Sequence, residues 1–291
     1  MSSNSTPLVA SNYHMHSKYD DGQGELADYV RAALDLGMTS IGFSGHAPVP
    51  FATSWNIALD RLGAYRAEAE AARASHQHEI AVAVGLEVDV IPGLEGHFQQ
   101  HIVPLGFDYF IGSVHFVGND PHTGIPWEID EGPDEVRRGL EDWYGNDIRR
   151  LVEDFYALER RVPRYLPALA IVGHMDRIKR FNYGDQFFSE TAPWYRDAVD
   201  ATLETYAQED IIVELNTAGW RTPTGAAYPS DWITRRCHER GIRMTLNTDA
   251  HTTAHLAADH ARGLAQLQTA GYHAISIWRD GAWVEQGLPV T

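Results

Sequence analysis

Short apolar runs alternate with longer amphipathic segments along most of this chain, and most runs stop at a histidine, a carboxylate residue or an asparagine. The runs are Leu8–Tyr13, Ser40–Ser44, Ile80–Leu86, Tyr109–Val114, Leu169–Gly173, Ile211–Asn216, Arg243–Asn247 and Ala274–Ile277. The amphipathic segments are Glu25–Leu36, Asn56–Ser75, Pro133–Arg161, Pro193–Glu209, Ser230–Arg240 and Ala254–Ala270. Gly37, Gly241 and Gly271 follow three of them, where a left-handed C-terminal cap favours glycine. Strands apolar along their whole length are buried on both faces, as in a parallel sheet covered by helices. The expected class is therefore α/β. Seven or eight such strands favour a closed barrel, although periodicity alone leaves an open sheet possible.

The length of 291 residues fits one barrel. A single domain over residues 8–291 is expected behind a loose tail, residues 1–7. No run approaches the 18 or so apolar residues of a membrane-spanning helix, and the opening residues lack signal-peptide order. The lone Cys237 cannot form an internal disulfide, which fits a reducing cytoplasm, the expected location. Forty acidic against 23 basic residues give a net charge of -17. An extended nucleic-acid-binding face would need the opposite balance, so neither nucleic acid nor a membrane is an expected partner. The oligomeric state is open.

Histidine is the unusual count, at 15. Active sites of (β/α) barrels lie where the carboxyl ends of the strands converge, so residues distant in sequence meet there. His14-Met15-His16 puts two imidazoles on one side of an extended segment. Asp249-Ala250-His251 repeats that geometry if it too is extended. The carboxylate of Glu87 has enough lone pairs to bridge two ions. A lone His-x-His pair occurs by chance, but His14, His16, Asp21, His46, Glu87, His115, His174, Asp249 and His251 together exceed one four-coordinate site. They imply two or three divalent ions, and imidazole with carboxylate suits Zn, Fe or Mn. Asp20 competes with Asp21. His76, His78, His97, His101, His238, His260 and His273 read as surface or structural, while His122 and His255 stay open.

The series of motifs is specific. Asn12-Tyr13-His14-Met15-His16-Ser17 with Asp21-Gly22, Ile41-Gly42-Phe43-Ser44-Gly45-His46-Ala47-Pro48, Gly85-Leu86-Glu87-Val88-Asp89 and Ile111-Gly112-Ser113-Val114-His115 come first. Gly173-His174-Met175-Asp176, Glu214-Leu215-Asn216-Thr217-Ala218-Gly219-Trp220-Arg221 and Thr248-Asp249-Ala250-His251 complete it. In this order the chain resembles the PHP (polymerase and histidinol phosphatase) family, most closely its histidinol-phosphatase branch. Gly45 stands where aspartate is commoner in that family. The resemblance implies a distorted (β/α)7 TIM-like barrel of PHP type with a trinuclear site. It implies one ion among His14, His16, Glu87 and Asp249, a second bridged by Glu87 to His115 and His174, and a third on Asp21, His46 and His251.

It further implies a phosphatase that converts L-histidinol phosphate to L-histidinol and phosphate in histidine biosynthesis. Metal-activated hydroxide would attack phosphorus, with Asp249 or His251 moving the leaving-group proton. The partner is then a small phosphorylated substrate. Arginine's planar fork suits phosphate, which makes Arg221 the first candidate contact, with Arg177 and Arg180 (or Lys179) behind it. The acidic loop bearing Glu128, Asp130, Glu131 and Asp134 could shape specificity for an amine or imidazole, or be solvated surface. The alternative function is a PHP-type phosphoesterase for another small monoester or a nucleotide.

Overall fold

The computed structural model describes residues 11–118, 124–166 and 170–289. Its strands in chain order are β1 (Ser11–Asn12), β2 (Ser40–Phe43), β3 (Ala81–Asp89), β4 (Tyr109–Ser113), β5 (Phe116–Val117), β6 (Trp127–Glu128), β7 (Ala170–Val172), β8 (Ile212–Asn216), β9 (Arg243–Asn247), β10 (Ala274–Arg279) and β11 (Ala282–Gly287). Seven of them form one parallel sheet in the order β1-β2-β3-β4-β7-β8-β9. The helices are α1 (Leu26–Asp35), α2 (Leu62–His76), α3 (Glu95–His101), α4 (Pro133–Tyr144), α5 (Ile148–Glu159), α6 (Val162–Tyr165), α7 (Pro193–Ala207), α8 (Asp231–Glu239) and α9 (His260–Ala270). Strand–helix alternation around a nearly closed seven-stranded sheet is the expected distorted (β/α)7 barrel.

The seam lies between β1 and β9, which do not pair along their lengths. It is stitched just beyond them. The His16 amide donates to the Ala250 carbonyl at 2.9 Å, and the Ala250 amide donates to that of His14 at 3.0 Å. Asn12 Nδ2 adds a bond to Thr248 Oγ1 at 2.7 Å.

Buried tyrosines fill the interior. A Cβ on Gly42 would lie 2.5 Å from the Tyr109 hydroxyl, and one on Gly85 would lie 2.6 Å from its ring. Both glycines therefore make room for Tyr109, whose hydroxyl lies 2.6 Å from the Tyr13 carbonyl oxygen. Interiors are close-packed, so no smaller filler would leave this stack intact. The antiparallel hairpin β10–β11 covers the end of the barrel where Ser40 begins β2. The Trp278 amide donates to the Tyr13 hydroxyl at 2.6 Å, and Trp283 packs edge-on against Tyr13 with ring centres 4.8 Å apart.

Four expectations change. The eighth apolar run enters this hairpin instead of the barrel. The segment 133–161 is not one helix: Gly145 and Asn146 are both left-handed (φ 57° and 66°) and break it. The helices expected from Asn56 and Ala254 begin at Leu62 and His260, each preceded by a short 3-10 turn. Asp249 has φ 51°, so Asp249-Ala250-His251 is not a regular extended strand, although Ala250 bridges to Met15. Residues 8–10 and 169, parts of two expected strands, lie outside the described residues, as do the tail 1–7 and His122.

Candidate metal centre

The strand ends bring all nine candidate ligands together. His14 and His16 follow β1, His46 follows β2, and Glu87 and Asp89 lie near the end of β3, which runs past the Leu86 expected from sequence. His115 follows β4, His174 follows β7, and Asp249 and His251 follow β9. Alternation along β3 turns Glu87 and Asp89 to one face.

Four overlapping sets have ligand atoms within 4.8 Å of one another: His16, Asp21, His46 and His251; His14, His16 and Asp249; His14, Glu87 and His174; and His46, Glu87 and His115. Glu87 occupies the middle. One of its oxygens lies 3.2 Å from His14 Nε2 and 2.9 Å from His46 Nδ1, and the other lies 3.0 Å from His174 Nε2. Buried polar atoms are ordinarily hydrogen-bonded. Here His14 Nε2, His16 Nε2, His46 Nδ1, Glu87 Oε2 and Asp249 Oδ1 are buried and form no hydrogen bond. Several buried imidazole and carboxylate donors aimed at one another without bonds fit bound divalent cations.

A second layer of carboxylates aims the imidazoles. Glu214 lies 2.9 Å from His14 Nδ1, Asp20 lies 2.7 Å from His16 Nδ1, and Asp89 lies 2.9 Å from His115 Nδ1. Each fixes a ring and leaves its Nε2 facing the cluster. Asp20 also accepts from the amides of Ser17 and His46, while Asp21 faces His251 Nε2 at 3.2 Å. Geometry thus gives the neighbouring aspartates different tasks. Glu214 is the residue that sequence reasoning did not assign. Its signal is a carboxylate two positions before Asn216 in an apolar strand, which puts both on one face.

The electrostatics are reciprocal. Burial opposes protonation of His14, but Glu214, Glu87 and Asp249 hold its imidazole well above its ordinary pKa. Burial likewise opposes protonation of His115, and Asp89 raises it to about 9. Burial would raise Glu87, yet His14, His46 and His115 hold it well below the usual carboxylate range. Burial and the nearby Arg177 push His174 down. Protons and metal ions compete for the same nitrogens.

The cluster opens into a cavity of about 560 Å³. Arg177, Arg180 and Arg221 line it, as do Trp55, Glu128 and Asp130. Asp130 is 2.7 Å from Arg177 and 3.1 Å from Arg180, and Arg177 also lies 3.5 Å from Asp249. Arg221 hangs on the carbonyls of Thr217 and Thr248, with Asp259 at 3.6 Å. Glu128 accepts from Trp55 Nε1 at 3.2 Å. Asp134 is almost fully exposed and pairs with Arg137, which fits solvated surface. His255 lines the cavity, whereas His260 is buried away from the cluster and pushed down to about 4 by burial.

A parallel barrel whose strand ends carry clustered imidazoles and carboxylates defines a metal-binding catalytic barrel. The chain belongs to the PHP domain family, which matches residues 12–218. Among its relatives is a probable histidinol-phosphatase of Deinococcus radiodurans, 30% identical over 266 residues that cover 90% of this chain and 94% of the relative. A histidinol-phosphatase of Bacillus subtilis is 25% identical over 255 residues, covering 82% and 92%. The crystal structure of a Lactococcus lactis histidinol phosphate phosphatase, complexed with zinc, L-histidinol and phosphate, shares the fold. Its TM-score is 0.74 at 19% identity, over 95% of this chain and 99% of that one.

Proposed function

We propose that the chain is a metal-dependent phosphatase acting on L-histidinol phosphate. The observation that carries the reading is the set of unbonded buried donors around Glu87, opening beside Arg177, Arg180 and Arg221. The relatives' activity supports the choice of substrate. His14, His16 and Asp249, with Glu87, would hold one ion, and Glu87, His115 and His174 a second. Asp21, His46 and His251 would hold a third. His46 also stands within reach of the second group. When bound, the ions supply an acidified water and offset phosphoryl charge.

The chain's own groups do the rest. Arg221 and the Arg177–Arg180 pair bind and orient the phosphate through directed N–H donors. His251 is 36% exposed at the rim, and a water beside it and Asp249 would pass the leaving-group proton, since the imidazole itself would face the third ion and the Asp249 carbonyl. Asp249 is buried 3.2 Å from His16 Nε2, stays ionised and accepts from the groups around it. Trp55 offers a flat face and Glu128 a carboxylate, which suit the imidazole and ammonium of the leaving alcohol.

The test is a phosphate-release panel on protein reconstituted with Mn, Fe or Zn. Turnover of L-histidinol phosphate that chelation abolishes is expected. Negligible release from it, while other monoesters or nucleotides turn over well, would overturn the substrate.

A further inference from the structure

A second cavity, of about 620 Å³, lies on the outer wall between α7, α8, α9 and the loop after β8. Three guanidinium groups converge on it: Arg196 from α7, Arg235 from α8 and Arg262 from α9. Among the described residues none of the three has a carboxylate within ion-pair distance, although Glu190 and Asp231 also border the cavity. Two of them are stacked instead. The Arg262 guanidinium carbon lies 4.3 Å from the Trp220 ring centre, and that of Arg196 lies 5.1 Å from the Trp232 ring centre. Stacking holds a guanidinium flat and leaves its N–H edge free to meet an oxyanion. In a chain of net charge -17, three unpaired arginines on one concave, aromatic-walled surface are a local reversal of sign.

The volume is larger than a bare phosphate would fill, and it falls in the range of small-molecule sites. The indoles, with Ala226 and Ala265, give an apolar wall beside the cations. A flat ring carrying a phosphate matches both halves of this surface. The wall facing the metal centre is also shared. Trp220 borders this cavity, while Ala218 and Arg221 of the same 3-10 turn (Thr217–Arg221) border the catalytic one. The turn is tightly seated, because a Cβ on Gly219 would lie 2.0 Å from the Ala226 carbonyl oxygen. Trp220 and Arg221 thus share one short turn, through which a shift of one bears on the other.

We propose that this cavity is an effector site for a nucleoside monophosphate, which acts on substrate binding through the Trp220–Arg221 turn. The test is calorimetric titration of metal-loaded protein with adenosine monophosphate, its metal centre first saturated with inorganic phosphate. Saturable binding is expected, weakened about tenfold or more by Arg262→Ala and by Arg235→Gln, since each removes a charge-assisted contact. Neither variant should change turnover without the nucleotide, because neither residue reaches the metal centre. In the wild type the nucleotide should shift KM for the phosphomonoester more than kcat. Circular dichroism confirms folding of each variant, and Arg262→Lys, which keeps the charge, should restore part of the affinity.

Absence of saturable binding overturns the proposal. So does binding that both variants leave unchanged, or that inorganic phosphate at the metal centre abolishes. Binding with no shift in KM removes the coupling through Trp220. A dimer that dissociates on Arg235→Glu, with no nucleotide bound, would mean that a second copy fills the cavity. Because binding is read by heat, failure of this proposal is distinct from failure of the substrate assignment.

Discussion

His14 shows how a candidate ligand is built at the scale of one residue. Its Nδ1 is held by Glu214, and its Nε2 is left toward Glu87 and Asp249. Glu214 also accepts from the His174 amide and from the side chains of Asn216 and Asn247, so one carboxylate orders three strand ends. Removing its charge while keeping its shape should loosen the ring and lower its basicity. Glu214→Gln is expected to weaken metal affinity about 10- to 100-fold, read by competition with a chelator. Unchanged affinity would count against this role. Arg221→Ala should mainly raise KM if the side chain binds ground-state phosphate, and an unchanged kcat/KM would remove it from the site. The grouping of these histidines and carboxylates was legible in sequence, because histidine at a strand end is a chemically specific placement. The tasks of their partners Asp20, Asp89 and Glu214 were not, although Asp20 was a rival to Asp21, because these are drawn from 40 acidic residues, most of which need only solvent. Only the fold distinguishes a carboxylate 2.7 Å from an imidazole from one on the surface.

At the scale of elements, the strands were legible because burial on both faces leaves an uninterrupted apolar run. The breaks in helices were not, because an amphipathic pattern continues across them. Between α4 and α5 the turn depends on two consecutive left-handed residues, Gly145 and Asn146. Glycine adopts that conformation without steric cost, and a Cβ at Gly145 would meet no neighbour. Gly145→Ala is therefore expected to destabilise through backbone strain alone, by about 1 kcal/mol. That corresponds to a fall in Tm of roughly 2–4 °C. Metal stoichiometry should stay the same, since Gly145 and Asn146 border neither the ligand cluster nor its cavity; a loss of bound metal in this variant would contradict that separation. The short hairpin β5–β6 was also illegible, with two-residue strands that carry no periodicity.

At the scale of the molecule, the coupled charges predict a pH profile. His115 binds its proton more tightly folded, at about 9 against 6.5. Its stabilising contribution is full below about 6.5 and is lost as pH climbs through about 9. Glu87 and Asp249 are held below their ordinary values, so their contribution is present above about 4 and is lost as pH falls. Metal-free protein should then lose Tm between pH 6.5 and 9, whereas Zn or Mn should remove that loss by taking the proton's place. Thermal melts across pH with and without the ion test this, and an alkaline loss of equal size in both would contradict it. Barrel closure was suggested by the number of strands but not settled by them, because closure is a relation between the first strand and the last.

That relation bears on how the protein comes into being. The seam joins His14 and His16, which leave the ribosome early, to Ala250 and Asp249, which leave after most of the chain. A nascent chain halted before residue 243 has β1 without its final neighbour and the first two imidazoles without Asp249. Metal capture at that position would thus wait for the last barrel strand, and aborted translation products should emerge unable to retain an ion there.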